Sequence, residues 1–192
     1  SSPSQTINYA SCHDNLTLID RISRSTPNAS REDRIRMNNL SAAIYMTAQG
    51  IPFMQAGEEM LRSKQKSDGG FDENSYSSPD SVNSLKWDNK ANVMDTYEYY
   101  KGLIAFRKKY PAYGEDMEVA VDRICFLPMK KPLVGFTLDD LVIYYNPLVE
   151  KVSVNLPDGN FTMVSDGVGF EERENISGEI TLLPKSVTIL HK

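Results

Sequence analysis

Cysteine is almost absent from this chain: Cys12 and Cys125 stand alone and far apart. No Cys-x-x-Cys pair and no histidine cluster accompanies them, so neither a zinc site nor a disulfide framework is expected, and two unpaired thiols favour a reducing, cytoplasmic compartment. No metal and no cofactor is expected. Long apolar runs are missing as well. Nothing approaches the roughly 20 residues needed to span a bilayer, which argues against a membrane partner. The opening, Ser1-Ser2-Pro3-Ser4, has neither the charged nor the apolar region of a signal peptide, while leaving export open. Basic runs are lacking too: 26 acidic residues outweigh 21 basic ones, for a net charge of -5, and nothing could track a phosphate backbone. Nucleic acid is therefore not an expected partner.

What remains is an ordinary globular composition, 40% hydrophobic and 24% charged over 192 residues, enough for one large or two small cores. The pattern changes along the chain. Up to about Tyr110 short apolar runs alternate with helices; from Met117 onward short strands alternate with turns.

In the first part, 6–11 reads as a short buried strand that ends on Cys12-His13-Asp14-Asn15. Leu16, Ile19 and Ile22 then recur at helical spacing. Ser30 can cap a second helix with Asp33 three residues on, the arrangement of a capping box, and Met37, Leu40, Ala43 and Ile44 form its apolar stripe. Gly50 ends that helix, and 51–56 is a second short buried strand. A long polar stretch follows to about Asn92, containing Gly69-Gly70, Pro79, Tyr76 and Trp87. Its aromatics favour an ordered loop, with Trp87 as a packing residue. Asp95 and Glu98 open a third helix that buries Tyr97, Tyr100, Leu103 and Ile104. Arg107, Lys108 and Lys109 oppose its dipole, and Tyr110-Pro111 stops it. Strand, helix, strand implies a parallel sheet, and two parallel strands do not complete one, so a missing amino-terminal partner is expected.

The second part offers strands over 119–121, 124–127, 133–136, 141–145, 152–156, 161–164, 180–183 and 187–190, with turns such as Pro157-Asp158-Gly159-Asn160 between them. Their spacing suggests a small antiparallel β-sandwich.

The chemistry concentrates in His13-Asp14-Asn15, where a polar triplet ends a strand. Read alone it is ambiguous, because an aspartate there also suits a helix cap. Glu58-Glu59 is a second acidic pair, but neighbours on an extended chain point in opposite directions, which favours a rim or structural role.

The segment from Ile7 to Leu18 resembles the fourth sequence region of glycoside hydrolase family 13, in the form found in type I pullulanases. The likeness continues through Ala48-Gln49-Gly50-Ile51-Pro52-Phe53-Met54-Gln55-Ala56-Gly57-Glu58-Glu59-Met60-Leu61-Arg62, through the loop from Asn74 to Asn83, and into Trp87-Asp88. This resemblance implies that 1–112 is the carboxy-terminal portion of a catalytic TIM (β/α)8 barrel, supplying its last two strands and helices, and that 113–192 is a β-sandwich. It implies a retaining α-glucan debranching hydrolase acting on α-1,6 linkages of pullulan, starch or glycogen-derived oligosaccharides. Other debranching or branching enzymes of the family, and a noncatalytic carbohydrate-binding domain pair, are the alternatives. By resemblance Asp14 matches the third acidic residue, which stabilises the transition state, and His13 matches its histidine neighbour. Asn15, Asn74, Tyr76, Asp80 and Asn83 are candidates for substrate binding. The nucleophile and acid/base motifs do not occur in this sequence, so the expected partners are an α-glucan and the amino-terminal part of the same enzyme, and the chain alone is expected to be inactive.

Overall fold

The computed structural model of the protein describes residues 3–113 and 117–192; Ser1 and Ser2 lie outside the described residues. Strand β1 (Ile7–Asn8) is followed by helices α1 (Leu18–Ser25) and α2 (Arg31–Thr47) and by strand β2 (Ile51–Pro52). The two strands pair in parallel, Ile7 opposite Ile51 and Asn8 opposite Pro52, as the strand-helix-strand pattern predicts. They are shorter than expected and they are not buried: Ile7 is 60% exposed, and Tyr9, Ile51 and Phe53 also face outward. Among the described residues this pair bonds to no further strand, and the apolar side chains at it stay partly open, Tyr9 and Phe53 meeting edge to face at 6.0 Å. Gly50 sets how closely α2 approaches the pair. Its φ of 112° favours glycine, and a Cβ there would stand 2.4 Å from Thr6 Oγ1 and 2.5 Å from Asn8 Nδ2.

The capping box at Ser30 forms by half. Ser30 Oγ accepts from the Asp33 amide at 3.0 Å, but the Asp33 carboxylate turns away to Lys185 Nζ at 2.6 Å, tying α2 to the far end of the chain. The stripe on α2 also differs from the expected one. Leu40 and Ala43 are buried, whereas Ile44 is exposed, and the core face includes Asn38, Ala42, Tyr45 and Met46. A stripe drawn through apolar residues alone misses this face because Asn38, fully buried, donates from Nδ2 to Tyr100 Oη at 2.9 Å.

The polar stretch after β2 is ordered by short elements: helical turns at Glu58–Met60 and Ser75–Ser77, then α3 (Asp80–Asn83) and α4 (Asn89–Asn92). Side-chain amides do here what a core cannot. Asn89 Nδ2 donates to the Met60 carbonyl at 2.6 Å, and Asn83 Nδ2 donates to the Ser75 and Ser78 carbonyls at 2.5 and 3.0 Å. Trp87, expected to pack, is exposed. Helix α5 (Met94–Lys109) buries Thr96, Tyr99, Tyr100, Leu103 and Phe106; Tyr97 and Ile104 of the expected face are only half-buried, and Tyr97 carries the Lys90 ammonium 3.8 Å above its ring. Arg107 serves a different helix from its own, donating to carbonyls at the end of α2.

The run Val119-Ala120-Val121 is helical, within α6 (Met117–Val121), and not a strand. Three residues are too few to separate a period of 2 from one of 3.6. The remaining expected strands are present as β3 (Ile124–Phe126), β4 (Val134–Leu138), β5 (Leu141–Asn146), β6 (Val152–Asn155) and β7 (Phe161–Ser165), then, after β8 (Arg173–Ile176), as β9 (Glu179–Leu182) and β10 (Ser186–His191). Strand β8 escaped the sequence pattern because it is a charged, exposed edge strand, whose polarity is how edges avoid further pairing. Six strands form one antiparallel sheet in the order β3-β4-β5-β10-β7-β8, and β6 pairs with β9 in a separate two-stranded sheet.

Strand alternation assigns the two faces of the larger sheet. Phe136, Leu138, Leu141, Ile143, Val187 and Ile189 pack against α2 and α5 in one apolar cluster. Val142, Tyr144, Met163 and Leu190 point the other way and meet Ile180 and Leu182 of β9 in a second. Strands β5 and β10 are therefore covered on both faces, which is why they read as unbroken apolar runs. Helix α5 comes so close to the 166–172 loop that a Cβ on Gly102 would stand 2.2 Å from Phe170 Cδ2 and 2.6 Å from its Cγ. In an open helix Gly→Ala gains about 1 kcal/mol. Here Gly102→Ala is expected to lose about 1–3 kcal/mol through overpacking, read as a lower urea midpoint.

Candidate functional site

Because β1 and β2 run parallel, the segments that leave them emerge at the same end of the pair. Polar side chains join the two segments. Ser11 Oγ donates to Glu58 Oε1 at 2.5 Å and lies 3.1 Å from Gln55 Oε1. The backbone then bends through His13, Asp14 and Asn15. Asn15 adopts φ 66°, a left-handed conformation that asparagine tolerates, and its Oδ1 accepts from the Leu16 amide at 2.7 Å. Helix α1 is capped by Thr17, whose hydroxyl accepts from the Asp20 amide at 3.3 Å, so capping is not the role of Asp14. The side chains of His13 and Asp14 are 89% and 85% exposed, with Nε2 3.3 Å from Oδ2.

An open cavity of about 430 Å³ lies at this bend. Its lining brings together His13, Asp14, Asn74, Tyr76 and Asn83, and adds Gln55, Arg62, Lys64, Glu73 and Ser75, which sequence reading did not single out. Two sequence-predicted residues stand outside it. Asn15 engages its side chain with its own bend, and Asp80 opens α3, its carbonyl accepting from Ser84 Oγ and Lys86 Nζ. Within the cavity, Asn83 has its amide nitrogen committed to two loop carbonyls. Tyr76 projects into solvent and Asn74 keeps its side chain exposed, so both are available to a ligand.

Glu58 and Glu59 lie on a helical turn and not on an extended chain, yet their side chains part. Glu58 is 3% exposed, held by Ser11 and by Tyr45 Oη, which donates to Oε2 at 2.9 Å. Glu59 Oε2 accepts from the Gly57 amide at 3.0 Å. Burial pushes the Glu58 carboxyl up from its ordinary range against the opposing pull of the Ser11 and Tyr45 hydroxyls. Among the described residues no three His, Cys, Asp or Glu side chains come together as a metal ligand set, and Cys12 and Cys125 are both free.

No protein-family model matches the chain. Individual relatives do. A pullulanase of Bacillus subtilis (strain 168) is 34% identical over 181 residues, covering 88% of this chain and 24% of that protein. The structure of a pullulanase from Bacillus acidopullulyticus superposes with a TM-score of 0.91 at 36% identity, covering 100% of this chain and 25% of the other. A Paenibacillus barengoltzii pullulanase in complex with maltohexaose and α-cyclodextrin superposes with a TM-score of 0.86 at 35% identity, covering 99% of this chain and 30% of that one. These relatives are debranching glycoside hydrolases, and the likeness runs along nearly the whole chain. More narrowly, the chain is homologous to the type I pullulanases of glycoside hydrolase family 13 and matches their carboxy-terminal region, spanning about a quarter of their length.

The buried Glu58 makes a measurable prediction. A carboxyl raised by burial holds its proton more tightly in the folded chain than in the unfolded one. The stabilisation linked to that proton is present below the ordinary glutamate value of 4.5 and is lost as pH rises through the raised value. Glu58→Gln cannot titrate. Its stability, measured by denaturation between pH 4.5 and neutrality, is expected to improve relative to the parent as pH rises; a difference that stays flat would refute the assignment.

Proposed function

We propose that this chain is the carboxy-terminal portion of a retaining α-glucan debranching hydrolase that cleaves α-1,6-glucosidic linkages in pullulan, starch or glycogen-derived oligosaccharides. The observation that carries the reading is the shared cavity: His13 and Asp14, solvent-facing at the carboxyl end of two parallel strands, line it together with Asn74 and Tyr76. In this reading β1 and β2 are the last two strands of a TIM barrel, residues 1–112 close it, and 113–192 form the β-sandwich that follows. Active sites of such barrels lie at the carboxyl ends of the strands.

The chemistry asked of these residues is differential binding. As the glycosidic bond breaks, positive charge grows on the ring and the acidity of its hydroxyls rises. Hydrogen bonds from those hydroxyls to the Asp14 carboxylate then strengthen toward the transition state, with His13 bonding the same sugar. Tyr76 offers an apolar face for a pyranose ring and Asn74 both donors and acceptors for its hydroxyls. Retention of configuration also requires a nucleophile and a proton donor about 5 Å apart. Glu58 is a poor candidate for either, because it is buried and both its oxygens are engaged. Both roles therefore fall to the amino-terminal part of the enzyme, the partner this reading requires.

In a full-length enzyme containing this sequence, Asp14→Asn is expected to reduce kcat by on the order of 3 kcal/mol of transition-state stabilisation while KM changes little. A near wild-type kcat would remove Asp14 from the mechanism. Expressed alone, the chain is expected to show no pullulan hydrolysis above an Asp14→Ala control.

A further inference from the structure

Lysine is among the residues least often buried, yet Lys64 is 3% exposed and lies against the cavity that holds Asp14. Its ammonium does not end on a carboxylate. Nζ donates to the main-chain carbonyl of His13 at 3.0 Å. Its backbone is pinned as well: the Lys64 amide donates to Asp20 Oδ2 at 2.7 Å and the neighbouring Ser63 hydroxyl to Asp20 Oδ1 at 2.5 Å. Asp20 is itself buried, in the first turn of α1, immediately after the bend. The contacts close a ring that runs from the His13 carbonyl along the bend into α1, across Asp20 to the Lys64 backbone, and back along the lysine side chain.

The consequence follows from peptide planarity. The His13 carbonyl oxygen and the Asp14 nitrogen and Cα share one rigid plane, so fixing the oxygen fixes where Asp14 starts. We infer that Lys64 is a positioning residue for Asp14: its ammonium, anchored through Asp20, orients the peptide from which the carboxylate projects into the cavity. This rests on the functional reading given above. Burial, and after it Arg62, draws the Lys64 amine below its ordinary range, with Asp72, Asp20 and Asp14 opposing in part.

The test is a double-mutant cycle in a full-length enzyme containing this sequence, comparing Lys64→Met, Lys64→Arg, Asp14→Asn and the Lys64→Met/Asp14→Asn pair. Misplacing a catalytic group by about 1 Å costs roughly a hundredfold in rate. Lys64→Met is therefore expected to lower kcat about that much with KM little changed, and Lys64→Arg, which keeps a permanent donor, to recover most of it. The decisive measurement is the pair: if Lys64 acts through Asp14, its loss disappears in the Asp14→Asn background. Losses that multiply, an unchanged kcat, or a raised KM at constant kcat would overturn the inference, the last by showing that Lys64 binds sugar directly. Should Lys64→Met not fold, Ser63→Ala carries the same test, since it removes one bond of the ring; an unchanged kcat there overturns the inference too. The functional reading itself fails separately, through a near wild-type kcat in Asp14→Asn alone.

Discussion

The guanidinium of Arg107 holds the site to the rest of the molecule. It projects from the last turn of α5, donates to the carbonyls of Met46 and Ala48 at 2.8 and 2.9 Å, and reaches the Gly50 carbonyl at 2.6 Å. Those three oxygens belong to the end of α2 and the turn into β2. A helix leaves its last carbonyls without backbone partners, and a cation there is favoured by the helix dipole as well. One side chain thus finishes α2, stacks 4.8 Å over Tyr113, and locates the start of β2 relative to the core. Since β1 takes its position from β2, and the His13-Asp14 bend from β1, the geometry of the cavity descends from this contact.

Beneath the cavity the structure uses polar groups where a conventional core would use apolar ones. Ser11, Glu58 and Tyr45 form one bonded line, and Asn38 with Tyr100 a second beside it. Burial pushes the Tyr45 and Tyr100 hydroxyls well above their usual range, so both remain donors at any ordinary pH. Such a network contributes little net stability, because each bond replaces one to water, but leaving any member unpaired would be expensive. What it supplies is direction. An apolar layer would let β1 shift along β2 at small cost; a line of directed bonds fixes its register.

Much of this arrangement is legible in the sequence because it depends on near neighbours. The strand-helix-strand order, the Ser30 cap, the stop at Tyr110-Pro111 and seven of the strands follow from local period and turn chemistry. The failures on α2 and in the site share one cause, which is contact between residues distant along the chain. Ile44 enters the expected stripe because it is apolar, and Asn38 is absent from it because it is polar, yet Tyr100 gives the buried Asn38 a partner 62 positions away. In the site, His13, Asp14, Asn74 and Tyr76 carry a motif and Glu58 stands out as one of an acidic pair, whereas Lys64 and Asp20 carry no signal. The importance of these last three lies in bonds spanning 43 to 51 residues, from Ser63 to Asp20, from Ser11 to Glu58 and from Lys64 to His13.

The bend at His13-Asp14 divides its labour between backbone and side chains. Its main chain is held from several sides: Ser11 on Glu58 before it, Lys64 on the His13 carbonyl within it, and Asn15 on the Leu16 amide after it. The side chains of His13 and Asp14 are held by almost nothing, since the contact between them is 3.3 Å long and exposed to water. A ligand that bound them would have no buried side-chain bond of theirs to displace. Binding energy goes to the ligand's own hydroxyls, and the entropy of ordering the bend is already lost in folding. Under the proposed function, a carboxylate asked to favour a short-lived, charge-bearing state over a stable sugar needs this combination, because any freedom left in the main chain would be frozen out only as the transition state formed, raising the barrier.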